Sequence, residues 1–203
     1  MFSKKLSNSM YLIDLKPLGI ENVIASYVLC GNKVAIVETG PTVSIPNLLA
    51  GLQEIGIRNE EVDYVAVSHI HIDHAGGAGT LLQKLPNTKL IVHSRGAPHL
   101  IEPQKLWGAT LQVLGKIAEL YGKIETVPKG RILPAYDGMI IDLEDHIELK
   151  VLETLGHASH HLSFFENRSQ GIFPGDAAGI YIKAHDIIVP TTPPPFNLEA
   201  TLA

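Results

Sequence analysis

Apolar and polar positions along the chain change period several times, and each change marks an element. Met10–Lys16 alternates and predicts a half-buried strand. Ala25–Cys30 and Lys33–Thr39 are short apolar runs meeting at Gly31-Asn32, a hairpin signal. Over Ser44–Ile55 the period lengthens: Leu48, Leu49, Leu52 and Ile55 share one helical face. Pro46 sits in the first turn, Ser44 is the expected cap, and Gly56 is the stop. Val62–Ser68 is an apolar run of strand length, Ala75–Leu85 reads as a helix closed by Pro86, and Lys89–Ser94 as a further strand. Strand, loop, helix and strand in that order make a parallel βαβ unit.

Gln104–Tyr121 carries apolar residues at 106, 107, 111, 113, 114, 117, 118, 120 and 121, which predicts one long helix with a broad buried face. Beyond Ile124 the pattern turns to short runs: Ile132–Tyr136, Met139–Leu143, Ile147–Leu155, Leu162–Glu166 and Gly171–Pro174. Asp137-Gly138, Glu144-Asp145 and 167–170 separate them, so antiparallel strands are expected. A proline-rich connector follows Val189, and residues 197–203 read as the first turn of a helix. A length of 203 residues suits a single domain with a sizeable core.

Composition narrows the classes. Net charge is −5, and the acidity lies in residues 101–203, with eight Lys/Arg against thirteen Asp/Glu. No basic stripe is present to follow a nucleic-acid backbone. The one cysteine, Cys30, excludes an internal disulfide and a cysteine-built zinc site, and its apolar run predicts a buried free thiol. No run reaches the roughly 18–20 apolar residues of a membrane span, and residues 1–18 do not read as a signal peptide, so a cytoplasmic protein is expected.

Ten histidines are the unusual number, and they cluster. Ser68-His69-Ile70-His71-Ile72-Asp73-His74-Ala75-Gly76-Gly77 puts three imidazoles and a carboxylate within six residues after a strand. Residues two apart at a strand end point the same way, and the intervening isoleucines suit packing beneath a site. Neutral imidazoles with a carboxylate suit zinc, iron or manganese. Thr154-Leu155-Gly156-His157-Ala158-Ser159-His160-His161 and Phe173-Pro174-Gly175-Asp176 close two later strands with further ligand-type residues. No Gly-x-Ser-x-Gly elbow supports a serine nucleophile.

The chain from its first strands to Asp176 resembles the metallo-β-lactamase superfamily, and within it the glyoxalase II-like hydrolases, through the His-x-His-x-Asp-His run at 69–74, Gly156-His157 and Gly175-Asp176. The resemblance implies an α/β fold, a four-layer αββα sandwich of two αβ halves packed sheet to sheet. It implies one metal site of His69, His71, His157 and Asp176, and a second of Asp73, His74, Asp176 and a further histidine. The cofactors would be two divalent metal ions, zinc first, with iron or manganese as alternatives. A hydroxide between the ions would cleave a small thioester, ester or lactone, with Asp73 orienting it as the catalytic residue. An iron-dependent persulfide dioxygenase on the same fold is the alternative, and a nuclease a more distant one. His71 stands where flavodiiron oxygen reductases carry Glu. The expected partner is a small-molecule substrate, with a homodimer as an option and neither nucleic acid nor membrane.

Departures from the pattern carry expectations of their own. His185 follows Asp176 by nine residues, too near for the last ligand, and is expected at the surface. The single domain over 1–203 is therefore expected to lack a closing strand and helix that bring that histidine. Glu38-Thr39-Gly40 stands where the family often has Asp-Thr-Gly, so Glu38 is expected to support the site from behind its ligands. His161 is read as supporting, His93 and His99 as structural, His146 as solvated, and Trp107 as core or pocket wall.

Overall fold

A computed structural model describes residues 1–182, 184–193 and 196–202. Two sheets stack face to face. The larger has seven strands in sequential order: β1 (Ser3–Lys5), β2 (Met10–Asp14), β3 (Ala25–Cys30), β4 (Val34–Val37), β5 (Val62–Ala66), β6 (Lys89–His93) and β7 (Ile132–Ala135). It is antiparallel from β1 to β4 and parallel from β4 to β7. The smaller is antiparallel, β8 (Ile140–Asp142), β9 (Glu148–Glu153), β10 (Leu162–Glu166) and β11 (Gly171–Phe173). A detached hairpin, β12 (Ile180–Ile182) with β13 (Ile187–Val189), follows.

The strand patterns follow from what covers each face. Parallel strands joined through helices are buried on both sides, so Val34–Val37 is apolar and buried throughout. Successive residues go to opposite cores. Val28, Ile36, Val65, Leu90 and Val92 meet the helices, whereas Leu29, Val37, Ala66 and Ile91 meet the smaller sheet at Leu149, Val151, Leu162 and Phe164. In β9 only one face is covered, and Leu149 and Val151 alternate with exposed Glu148 and Lys150.

The helices α1 (Ile45–Glu54), α2 (Ile72–Ala75), α3 (Ala78–Leu82), α4 (Ala97–Ile101), α5 (Gln104–Leu114) and α6 (Lys116–Tyr121) precede β7, and Leu48, Leu52, Leu81 and Leu100 anchor this layer to the larger sheet. A short α7 (Leu198–Leu202) lies beyond the smaller sheet, where Thr201 meets Gly156. The order of layers is helix, sheet, sheet, helix.

Three expectations are corrected. The helix expected over 104–121 breaks at Gly115, whose φ of +53° ends α5, and its apolar residues are not a buried face: Val113, Ile117 and Leu120 are exposed and only Ala118 is buried. Ser44 does not cap α1, since its own backbone is helical and its buried Oγ has no partner among the described residues. Cys30 is free but half-buried. The sequence reading also passed over β1, α4 and the β12–β13 hairpin.

Candidate metal centre

The site is built where strands of both sheets end. β5 stops at Ala66, and the chain leaves the sheet through Val67 and Ser68 before reaching His69. The first histidines therefore lie on a loop past the strand and not at its end. α2 begins at Ile72, so Asp73 and His74 occupy its single turn. Buried Ile70 and Ile72 plug into the helix-side core and pin this loop from beneath. His157 comes on the loop leaving β9, and Asp176 just past β11.

These four segments converge. His69 Nε2, His71 Nδ1 and His157 Nε2 form a triangle with sides of 2.8, 3.0 and 3.2 Å. Nitrogen ligands at about 2.0–2.1 Å from a tetrahedral zinc stand about 3.3 Å apart, so the triangle has nearly that edge. Asp176 faces two ways: Oδ2 lies 3.4 Å from His157 Nε2, and Oδ1 lies 3.2 Å from His74 Nε2. His74 Nε2 is in turn 3.5 Å from Asp73 Oδ2. One carboxylate thus connects a three-histidine cup to a second group of Asp73 and His74. All six sequence-predicted site residues are in one place. His185 is exposed in the turn between β12 and β13, outside this cluster.

Supporting contacts decide which ring nitrogen carries a proton. The Thr191 carbonyl, 3.1 Å from His157 Nδ1, can only accept, so Nδ1 holds the proton and Nε2 keeps a lone pair toward the cup. Ser68 Oγ lies 2.9 Å from His69 Nδ1 and permits the same tautomer there. His74 Nδ1 is 3.5 Å from Glu38 Oε1, which also accepts the Ser68 N–H at 3.1 Å. Glu38 holds a positive φ of +68°, and its Oε2 is buried without a partner among the described residues. Behind Asp176, its N–H donates to His161 Nε2 at 3.1 Å, which places the other ring proton toward Thr154 Oγ1 at 2.8 Å. Thr154 pairs with Ser163, and Ser163 donates to the Pro174 carbonyl. Sequence reading missed Ser68, Thr154, Ser163 and Thr191, because nothing local distinguishes such hydroxyls from ordinary ones.

Burial pushes the His69 imidazole well below its usual pKa, with His74 and His71 adding to it. Burial and neighbouring His157 bring His71 down to about 4. Burial alone would lower His74, but the Glu38 and Asp176 carboxylates raise it well above the usual value. Burial opposes ionisation of Asp176, yet its hydrogen bond to His74 and the surrounding imidazoles hold it below the ordinary carboxylate range. The His69 and His71 rings are therefore neutral. Three lone pairs at these separations repel one another unless a cation or proton sits among them, so the donor set fits a divalent metal ion.

Comparison with known proteins agrees with this arrangement. The family description "Metallo-beta-lactamase superfamily" matches residues 19–203. The metallo-β-lactamase fold-containing protein ST1585 of Sulfurisphaera tokodaii is 28% identical over 190 residues, covering 91% of this chain and 67% of that protein. The crystal structure of ST1585 superposes with a TM-score of 0.80 at 26% identity, over 97% of this chain and 73% of that one. A hydroxyacylglutathione hydrolase of Prochlorococcus marinus is 25% identical over 166 residues, 77% of this chain and 53% of its own length. A metallo-β-lactamase of Cronobacter sakazakii shares the fold at a TM-score of 0.66 and 16% identity, over 85% of this chain and 60% of that one. With the family pattern running over nearly the whole chain and through every segment of the cluster, the chain belongs to the metallo-β-lactamase superfamily.

Proposed function

We propose that this chain is a metal-dependent hydrolase acting on a small thioester, ester or lactone. The observation that carries the reading is the cup of His69, His71 and His157, with ring nitrogens 2.8–3.2 Å apart and Asp176 reaching from it to His74. A divalent ion in such a site lowers the pKa of water towards about 7 and polarises a carbonyl. His69, His71, His157 and Asp176 would hold one ion, and Asp73, His74 and Asp176 a second, with zinc the first candidate. The described residues supply three side chains to the second group, so its coordination rests on fewer protein ligands.

The chain's own residues do the rest. Asp73 is the most exposed member, its side chain 44% accessible, so it meets both water and substrate and can accept the proton of an attacking water. Buried His69 and His157 exclude bulk solvent from the floor of the cup. Thr191 behind His157 keeps the facing nitrogen unprotonated, Ser68 permits the same at His69, and Glu38 accepts from His74 Nδ1. The name of the Prochlorococcus relative, a thioester hydrolase, favours a thioester among the three classes.

Metal content measured by mass spectrometry on purified protein, beside turnover on thioester, lactone and persulfide panels, tests the reading. Zinc with thioester or lactone hydrolysis is the expected result. One tightly held iron per chain with persulfide oxidation would replace it with the dioxygenase reading.

A further inference from the structure

We infer that the rim of the site beside His157 is an anion subsite: Arg95, held by the Ser159 carbonyl, takes a carboxylate on the part of the substrate remote from the reacting carbonyl. The inference rests on the hydrolase reading for the cup, and it names a feature of the substrate that the cup itself does not select.

The geometry starts at the end of β6. His93 is almost fully buried, and its Nε2 pairs with Glu153 Oε1 at 3.1 Å while its Nδ1 accepts the Arg95 N–H at 2.9 Å. This fixes the turn that carries Arg95. It also engages Glu153 with His93, and among the described residues no ion pair joins Glu153 to the guanidinium. Arg95 Nη1 donates to the Ser159 carbonyl at 2.9 Å. Among the described residues no carboxylate lies within ion-pair distance of Arg95, which leaves most of its five N–H donors open at an exposed position. Ser159 is two residues from His157, so the cation is fastened to the same loop as the cup.

His160 follows Ser159 on the same loop. Its ring stacks parallel to His69 at 6.3 Å and meets His71 edge-on at 6.1 Å. Its Nδ1 is buried without a partner among the described residues. The opposite side of the cup carries the acidic groups, Asp73 and Glu38. Asp176, 3.4 Å from His157, is committed to the cup, and Arg95 is the cation fastened to the loop beside it. On a chain of net charge −5 an anion gains nothing from the long-range field. Recruitment depends on a local, oriented guanidinium, whose planar fork suits a carboxylate.

The test uses zinc-loaded protein and two probes that need no turnover. Glutarate has a carboxylate for the metal and a second one beyond it; butyrate has only the first. Binding is followed by the Arg95 side-chain Nε–H resonance and by calorimetry. The expected result is glutarate binding about 10-fold tighter than butyrate, a shift of the Arg95 resonance with glutarate alone, and a preference that weakens as salt rises. R95A should remove the preference and R95K should retain part of it. Metal content is measured on each variant. Equal affinity for the two probes in the wild type, a preference that survives R95A, or loss of zinc together with the preference overturns the inference, the last because Arg95 would then only prop the His157 loop. Hydrolysis is measured separately on a glutaryl thioester and its methyl ester. A protein that hydrolyses neither yet shows the glutarate preference refutes the hydrolase and keeps the subsite; hydrolysis without any glutarate preference does the reverse.

Discussion

Asp73 and Glu38 show how differently two carboxylates of one site are placed. Asp73 is half-open to solvent on one turn of helix, so Asp73→Ala opens no apolar cavity. Its effect on stability should stay within about 1 kcal/mol, while hydrolysis falls at least about 100-fold. Near wild-type turnover in that variant would show that the His74 side is dispensable. Glu38 is mostly covered and acts through His74 Nδ1 and the Ser68 N–H. Glu38→Gln offers an amide N–H to His74 Nδ1 and so favours the tautomer whose Nε2 is protonated and cannot bind a metal. A loss of about 10–100-fold in metal affinity on the His74 side is expected, read by cobalt titration as weakening of one binding phase only. Equal weakening of both phases would mean that Glu38 is merely part of the core.

At the scale of elements, the decisive features are the segments at strand ends and not the strands themselves. Gly175 has φ +52°, and a Cβ there would stand 2.7 Å from both His161 Nε2 and Ser68 Cβ. That close approach lets the end of β11 bring the Asp176 N–H to His161 Nε2. Gly175→Ala should cost about 1–3 kcal/mol through backbone strain and crowding. It should lower metal content at the same time; a variant with lowered melting temperature but full metal content would separate the glycine from the site. The α5–α6 break at Gly115 teaches the opposite lesson about pattern. Apolar spacing over 104–121 was consistent with a long buried helix, but the larger sheet is already covered by α1, α3 and α4, so Val113, Ile117 and Leu120 find no core to enter.

For the whole molecule, the histidine cluster links stability to pH and metal. His71 is depressed to about 4 and His161, by burial and His157, to about 3. Between the unfolded value near 6.5 and these folded values, the unfolded chain binds protons that the folded one refuses. Stability of the metal-free protein therefore falls as pH drops from about 6.5 towards 4. His74, raised, is protonated in both states over that window and adds no slope; its contribution fades only as pH rises through its folded value. Thermal unfolding of metal-free protein at pH 7 and pH 4.5 should show the lower midpoint in acid, and an unchanged or higher midpoint would contradict these imidazole environments. Zinc at pH 7 at 1,000 times its dissociation constant should add about 4 kcal/mol, removable by a chelator.

Much of this protein was legible in one dimension. Period-2 and period-3.6 patterns located most strands and α1, because burial imposes those periods wherever an element has a single covered face. The residues at 69–74 announced the site because ligand-type side chains so close in sequence are forced together by any turn. His157 and Asp176 were legible only through resemblance to a family, since nothing local distinguishes a Gly-His or a Gly-Asp at a site from one in an ordinary turn. Tertiary structure alone decided what stands behind the ligands. The Thr191 carbonyl, the Thr154–Ser163 pair and the Glu153–His93–Arg95 chain are brought to the histidines from segments up to 60 residues distant. Tautomer, charge and open side of the cup depend on such contacts across space, and a linear pattern carries no term for them.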